Sequence, residues 1–481
     1  MSYDEMITDG ESRAPYARVS QWLDRTGHDK LSHHQALAKK LFRKAGITFQ
    51  VYTEKGDPER LIPFDVIPRV FSSSEWRTID NGVKQRANAL NAFLRDIYGE
   101  QEIIKAGIIP RSLVENNEAF EPVMVGFKPP HGIYSHIIGT DIVRTGENDF
   151  FVLEDNCRVP SGVSYMLETR ESMVRMFPEL FAENRVLPVD DYSEALLRMM
   201  KSVAGPHAPA NPRAVVLTPG HFNSAYYEHS FLADEMGIPL VEGADLMVED
   251  QRVYVRTTEG RQQVDVIYRR LDDAFLDPLV FRKDSMLGVP GLMDAYLNGG
   301  VTLVNAPGAG VADDKAIYCF VPDMIKFYLG EEAILPNVET HRCADPDSLA
   351  YVLDNLDQLV VKEVHGSGGY GMLIGPRASR EEIETFREKL KKHPSNYIAQ
   401  PTLSLSTCPT LVEDGVAPRH VDLRPFCLTG NGVSHLSKGG LTRVALPEGS
   451  LVVNSSQGGG VKDTWVVDDD YGQSQIQRQS Q

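Results

Sequence analysis

At 481 residues, 42% hydrophobic and 24% charged, the chain is too long for one compact core, and two or three domains are expected. Its 49 Lys and Arg stand against 67 Asp and Glu, a formal charge of -18 that repels a phosphate backbone; broad nucleic-acid contact is excluded, and any nucleotide must be held locally through a divalent metal. Five scattered cysteines without a C-x-x-C pair suggest neither a disulfide framework nor a zinc site, and with no signal-like N-terminus or membrane-length apolar run a soluble, cytoplasmic protein is expected.

Residues 1–135 read as mainly helical. The clearest case is VKQRANALNAFLRDIY, where Val83, Leu90, Phe93, Leu94 and Ile97 recur near a 3.6-residue period. Near Gly139 the pattern turns to strand: IIGTDIVR and DFFVLEDN are two extended runs joined by TGEN, and Asp141, Glu154 and Asn156 fall on this hairpin. The amphipathic helix SEALLRMMKSVA follows, then the linker PHAPANP at 206–212. AVVLTPG, a helix around EHSFLADEMG and IPLVEG give a strand, helix, strand order, and VDVIYRR and VTLVNAPG continue the α/β alternation. From about 346 the pattern becomes α+β with antiparallel strands: LVVKEV, the glycine cluster GSGGYG, MLIG, the helix EEIETFREKLKKH, and the strands NYIAQ, HVDLRPFCL and SLVVN. The tail after Trp465 is polar and reads as disordered.

Gly366, Gly368 and Gly371, with Ser367 and Gly369 between them, satisfy G-x-G-x-x-G. A dinucleotide fold would need a helix next, and MLIG reads as strand. No G-K-[ST] is present, so a P-loop is excluded, and a protein kinase would carry its lysine after the loop, whereas Lys362 precedes it. Two readings stay open for the loop alone: a hairpin whose backbone N–H groups approach phosphate oxygens, and a plain flexible hairpin.

Oxygen donors from Asp141, Glu154 and the Asn156 amide suit a hard cation such as Mg²⁺. Glu154 and Asn156, two apart on a strand, share a face, and Asp155 points away. The plainer alternative is an exposed turn. Arg158, Ser161 and Tyr165, just beyond, offer donors for a carboxylate. Arg269 and Arg270 are either a second carboxylate clamp or part of an ion-pair network, and His221, Asn223 and Ser224 either touch substrate or cap a helix.

Together these residues resemble the ATP-grasp superfamily. Lys362 and GSGGYG match its lysine and glycine-rich hairpin, YIAQPTL with Gln400 resembles its hinge strand, and DLRPFCLTGNGV resembles a D-x-R strand and turn. GGLTRVALPEGSLVVNSSQGGG resembles its arginine-bearing segment, with Arg443 and Asn454, and Lys315 in ADDKAIY matches the first nucleotide-contacting lysine. The D…E-x-N element that should come last stands upstream, at Asp141, Glu154 and Asn156, so the order is circularly permuted. The chain most resembles the circularly permuted ATP-grasp proteins of type 2, related to glutathionylspermidine synthetases.

That resemblance implies a multi-domain α/β and α+β fold: a helical N-terminal region (1–135), a permuted metal-binding segment (136–205), a pre-ATP-grasp α/β domain (206–345), nucleotide-binding lobes (346–465) and a disordered tail (466–481). It also implies an ATP- and Mg²⁺-dependent ligase that joins a carboxylate, through an acyl phosphate, to an amine, forming a C–N bond on a peptide-like or amino-acid-like molecule. Arg443, with Arg424 as second candidate, would face the transferred phosphoryl group, although either could be a solvated strand residue. Arg158, Ser161, Tyr165, Arg270 and Asn454 are the substrate candidates. The expected partners are small molecules, not nucleic acid or membrane, with a homo-oligomer allowed. The competing readings are a nucleotide-binding regulatory protein without ligation and a carboxylate kinase that stops at the acyl phosphate.

Overall fold

The computed structural model describes residues 2–50, 59–365, 371–451, 453 and 459–468. After two helices, Ala17–Thr26 and His28–Ala45, come strand β1 (Phe64–Ser72) and helix α1 (Ser73–Ile97). Helix α1 starts at Ser72 because the Ser72 hydroxyl accepts from Glu75 N at 3.1 Å while the Glu75 carboxylate accepts from Ser72 N at 2.9 Å, a reciprocal cap. Its apolar stripe, with Val83, Leu90, Phe93, Leu94 and Ile97, is buried as the 3.6-residue period requires.

The expected hairpin is β2 (Ile137–Arg144) and β3 (Phe150–Asn156), antiparallel. Helix α2 (Val163–Met176) follows. A four-stranded parallel sheet comes next: β4 (Ala214–Leu217), helix α3 (Tyr226–Met236), β5 (Leu240–Val241), β6 (Val266–Arg269) and β7 (Thr302–Val304), in the order β7, β6, β4, β5. The short helix α4 (Lys315–Tyr318) leads to a four-stranded antiparallel sheet of β8 (His341–Arg342), β9 (Leu359–Glu363), β10 (Leu373–Ile374) and β11 (Tyr397–Pro401), which has its own apolar core around Val352, Val361, Leu373 and Leu390. MLIG is therefore strand, antiparallel to the strand that carries Lys362. The helix expected over EEIETFREKLKKH is Arg380–Lys392.

The remaining strands complete the sheet begun by β1, β2 and β3. They are β12 (Thr407–Val412), β13 (Gly415–Arg424), β14 (Phe426–Gly430), β15 (Val433–Leu436), β16 (Leu441–Val444) and β17 (Gly460–Val467). HVDLRPFCL is not one strand: it breaks at Pro425, which has no N–H for the ladder. Even so, Leu423 faces Ile142 and Phe426 faces Gly139 in one continuous register, so β13 and β14 run along the same edge of β2. Across the sheet the order is β3, β2, β13 with β14, β16 with β15, β17, and finally β1, which pairs in parallel with β17. The strand expected over SLVVN does not form at its described residues, because β17 holds the free edge of β16 and runs two residues past Trp465.

The N-terminal segment threads into this sheet. Glu5 N donates to Thr407 O and Thr407 N to Tyr3 O, both at 2.9 Å. The fully buried Glu5 carboxylate takes Arg69 through two bonds of 3.0 and 2.6 Å and the Ser406 hydroxyl at 2.6 Å. Among the described residues no helix is long and apolar enough to cross a membrane, and all five cysteines are free thiols.

Candidate functional site

Strand β3 carries a bulge: Asp141 lies opposite Glu154, but Ile142 lies opposite Val152, so Leu153 is the extra residue. Burial follows from it. Phe150, Val152 and Asp155 are buried, while Phe151, Leu153, Glu154 and Asn156 are partly open on the other face. Asp155 is locked away from that face, its oxygens taking Arg86 at 2.5 and 3.2 Å and Thr140 at 3.0 Å. The bulge thus sets apolar Phe151 and Leu153 beside the polar pair. Both belong to a cluster with Val338, Leu403, Leu405 and Leu451.

Asp141 sits in a ladder of opposite charges. Arg424 donates to its two oxygens at 2.5 and 2.8 Å, and Arg443 donates to it at 2.7 Å and to Asp422 at 2.9 Å. Asp422 and Arg443 face each other across β13 and β16, and Asp422 and Arg424, two apart, share a side. Burial alone would push the Asp141 carboxyl up, but Arg424 and Arg443 outweigh it and hold the group well below the usual carboxylate range. Burial pushes Asp422 up despite Arg443. Glycine at 139 lets the Arg424 stem lie across the strand, since a Cβ there would stand 3.3 Å from its Cδ.

Glu154 lies 3.5 Å from Lys315 and 3.8 Å from Arg424. The Asn156 amide nitrogen donates to Gly139 O at 3.1 Å, so its oxygen is the atom that could hold a cation. Two carboxylates and an amide oxygen form a hard donor set of the kind Mg²⁺ takes, although the carboxylates are paired with cations. Among the described residues no three His, Cys, Asp or Glu side chains converge as a metal site.

Lys362, on β9, donates to Gln400 on β11 at 2.8 Å, and Gln400 donates to Thr340 at 3.0 Å. Burial lowers the Lys362 ammonium; Glu154 and Asp141 pull it back up and Lys315 pushes it further down, which places the two lysines and the two acids in one field. Lys315 opens α4, capped by Asp314, whose carboxylate accepts from Ala316 N and Ile317 N at 2.7 and 3.1 Å. Gly371 adopts φ +68° with Glu363 3.0 Å from where a Cβ would sit. Gly366, Ser367, Gly368, Gly369 and Asn454 lie outside the described residues.

The substrate candidates divide. Arg270 is buried and donates to Pro160 O and Tyr268 at 2.8 Å, Ser161 Oγ at 2.5 Å and Glu228 at 2.9 Å, the network arrangement rather than an open clamp. Glu228 also accepts from Gly162 N, Ser164 N and Ser164 Oγ, so this ion pair holds the loop that follows the hairpin, and Ser161 O accepts from Arg424 at 3.3 Å. Tyr165 is buried in α2. Asn223 closes the turn before α3 by accepting from Ala225 N at 2.8 Å. Arg158 stays half exposed. Sequence reasoning placed Asp422 only as the aspartate of the D-x-R strand and gave no role to Asp313, Asp314 or Glu228. An aspartate directly before ADDKAIY's helix is a cap signal, and Asp422 two residues from Arg424 is a shared-face signal, but nothing local marks Glu228.

The chain is 53% identical to an uncharacterised protein of Synechocystis sp. PCC 6803 over 97% of both chains, and 51% identical to one of Mycobacterium tuberculosis over 97% of this chain and 84% of that one. It is 40% identical to a Frankia alni protein named "Putative glutamate--cysteine ligase 2-3", matching 96% of this chain but 54% of that longer protein. A glutathione synthetase-like effector of Globodera pallida shares the fold, with TM-score 0.59 and 13% identity over 92% of this chain and 98% of its own. The model of circularly permuted ATP-grasp type 2 proteins matches residues 68–445, and the chain belongs to that family.

Proposed function

We propose that the protein is a cytoplasmic ATP- and Mg²⁺-dependent ligase that joins the carboxylate of a peptide-like or amino-acid-like small molecule to an amine through an acyl phosphate. The observation that carries this reading is the convergence around the β2–β3 hairpin of Asp141, Glu154 and Asn156 with Lys315, Lys362, Arg424 and Arg443, from segments far apart in the chain. Phosphoryl transfer asks mainly for positioning and for cations around the equatorial oxygens, and this set supplies both. In this reading residues 136–205 and 346–465 make the ATP-grasp core and 206–345 the preceding α/β unit. The Phe151, Leu153, Leu403 and Leu405 patch takes the base, Lys315 and Lys362 take the phosphates, and Gln400 keeps the Lys362 ammonium aimed. Asp141, Glu154 and the Asn156 oxygen would hold Mg²⁺, which when bound screens the phosphate charge. Arg424 and Arg443 orient the transferred group. The name of the Frankia relative is in line with a ligase, although this chain spans only about half of that protein.

The test is an ADP-release assay of the purified protein against pools of amino acids, short peptides and polyamines, with and without Mg²⁺. A requirement for both an acid and an amine is expected. ADP with a stable phosphorylated acid and no need for amine would make it a kinase, and ATP binding without ADP release would make it a regulatory protein. Asp141→Asn and Glu154→Gln should abolish turnover in a folded protein, and Lys362→Ala should remove most of the ATP-induced rise in Tm.

A further inference from the structure

Most arginines around the site are already committed. Arg269 and Arg270 are buried in hydrogen bonds, and Arg424 and Arg443 are bound to Asp141 and Asp422. Arg158 differs. Two residues beyond Asn156, its side chain is 44% exposed, and its nearest carboxylates, Asp313 at 3.6 Å and Asp272 at 3.9 Å, are beyond hydrogen-bonding length.

Its position is nevertheless built. Asp313 accepts from the backbone N–H of both Cys157 and Arg158, and Gly310 leaves a slot for the side-chain stem: a Cβ there would stand 3.2 Å from Arg158 Cδ and 3.0 Å from the Ala119 Cβ. The surrounding charge is mixed. Asp272 is 58% exposed beside the guanidinium, and behind it Arg269 faces Asp273 and Glu121, giving four carboxylates to two guanidiniums. A plain carboxylate arriving at Arg158 would be repelled by Asp272, whereas a ligand that also carries an ammonium would satisfy both.

We propose that Arg158, with Asp272 and Asp313, forms a subsite for the zwitterionic head of an α-amino acid, the guanidinium taking the α-carboxylate and Asp272 the ammonium. This deepens the ligase reading and rests on it only for the reaction the rest of that molecule undergoes. Specificity would come from two opposite charges read together, which neither a dicarboxylate nor a simple amine supplies.

The experiment titrates the full chain, with Mg²⁺ and ATP present, against L-glutamate, glutarate (no ammonium) and 4-aminobutyrate (no α-carboxylate), by calorimetry and by ADP release, then against the other protein amino acids. One or more α-amino acids should bind, and for the glutamate series at least about tenfold more tightly than either truncated analogue. Arg158→Ala should lose at least about tenfold in amino-acid affinity and keep the ATP-induced rise in Tm; Arg158→Lys should recover part of it, and Gly310→Ala should mimic the loss by displacing the stem. Asp272→Asn should narrow the preference for glutamate over glutarate. Failure of every amino acid to bind, equal binding of glutamate and glutarate, or unchanged affinity in folded Arg158→Ala would each overturn the subsite. Amino-acid binding without ADP release would leave the subsite standing and remove the ligase reading; efficient ADP release with acids that lack an amino group would do the reverse.

Discussion

Asp141 accepts hydrogen bonds from Arg424 through both of its oxygens and from Arg443 through one, so a cation binding there must compete with two guanidiniums already in place. Removing one of them changes that competition. Arg424→Gln is therefore expected to lower the Mg²⁺ concentration for half-maximal activity by at least about tenfold, since a unit charge about 4 Å away at an effective dielectric of roughly 20 is a coupling of up to a few kcal/mol and about 1.4 kcal/mol is already tenfold. It should also lower kcat, because the same guanidinium would have oriented the phosphoryl group. A Mg²⁺ titration of the variant against the wild type decides it; a higher Mg²⁺ requirement would count against Asp141 as the metal carboxylate. Residues of this kind were legible in the sequence because their signals are local: Glu154 and Asn156 share a face by spacing alone, and Lys362 stands on a strand before a glycine cluster. Arg270 was not, because its partner Glu228 sits on another element and no short pattern joins the two.

Among the elements, the bulge in β3 has the clearest functional weight. It adds Leu153 to the open face without turning Glu154 or Asn156 inward. Deleting Leu153 should restore a regular ladder, keep the Mg²⁺ dependence, and raise the KM for ATP by about tenfold or more, as the loss of a leucine contact that bound ATP would cover, roughly 1.5–3 kcal/mol, implies. Steady-state kinetics with varied ATP and varied Mg²⁺ separate the two effects. The two strands of the hairpin could be read from the residues as extended runs, but the bulge could not, because an extra apolar residue in an apolar run leaves the composition unchanged. SLVVN forms no strand at Ser450, Leu451 and Val453 for a complementary reason: the edge of β16 is already filled by residues 460–467.

At the scale of the whole molecule, Glu5 ties the N-terminal segment to the strands of the site, because Arg69, which it binds, also donates to Asp422 O at 3.0 Å. Burial would push the Glu5 carboxyl up, but Arg69, Arg144 and Ser406 lower it from 4.5 to about 2. A depressed folded value means that the unfolded chain binds the proton first as pH falls. The stabilisation is complete above pH 4.5 and is lost toward pH 2, on the order of 3 kcal/mol over that interval. Glu5→Ala leaves Arg69 buried and unpaired and should cost about 3–5 kcal/mol at neutral pH, and the variant should lose that part of the acid sensitivity. Urea unfolding at pH 7 and at steps from pH 4.5 down to about pH 3 measures both. None of this was readable, since the segment opens with acidic residues that look solvated and acquires a partner only through the fold.

The parallel pairing of β1 with β17 has a consequence for biosynthesis. The strand at 64–72 leaves the ribosome several hundred residues before its neighbour at 460–467, so at about 5–20 residues per second the wait is tens of seconds. Until residues 415–444 emerge, β2 and β3 have neither the strand edge nor the arginines that β13 and β16 bring, and Asp141 stands without its counter-charges. A polypeptide released before residue 460 would hold both acids and lack the strand that joins β16 to β1, so the permuted order makes synthesis of residues 460–467 the step that closes the sheet.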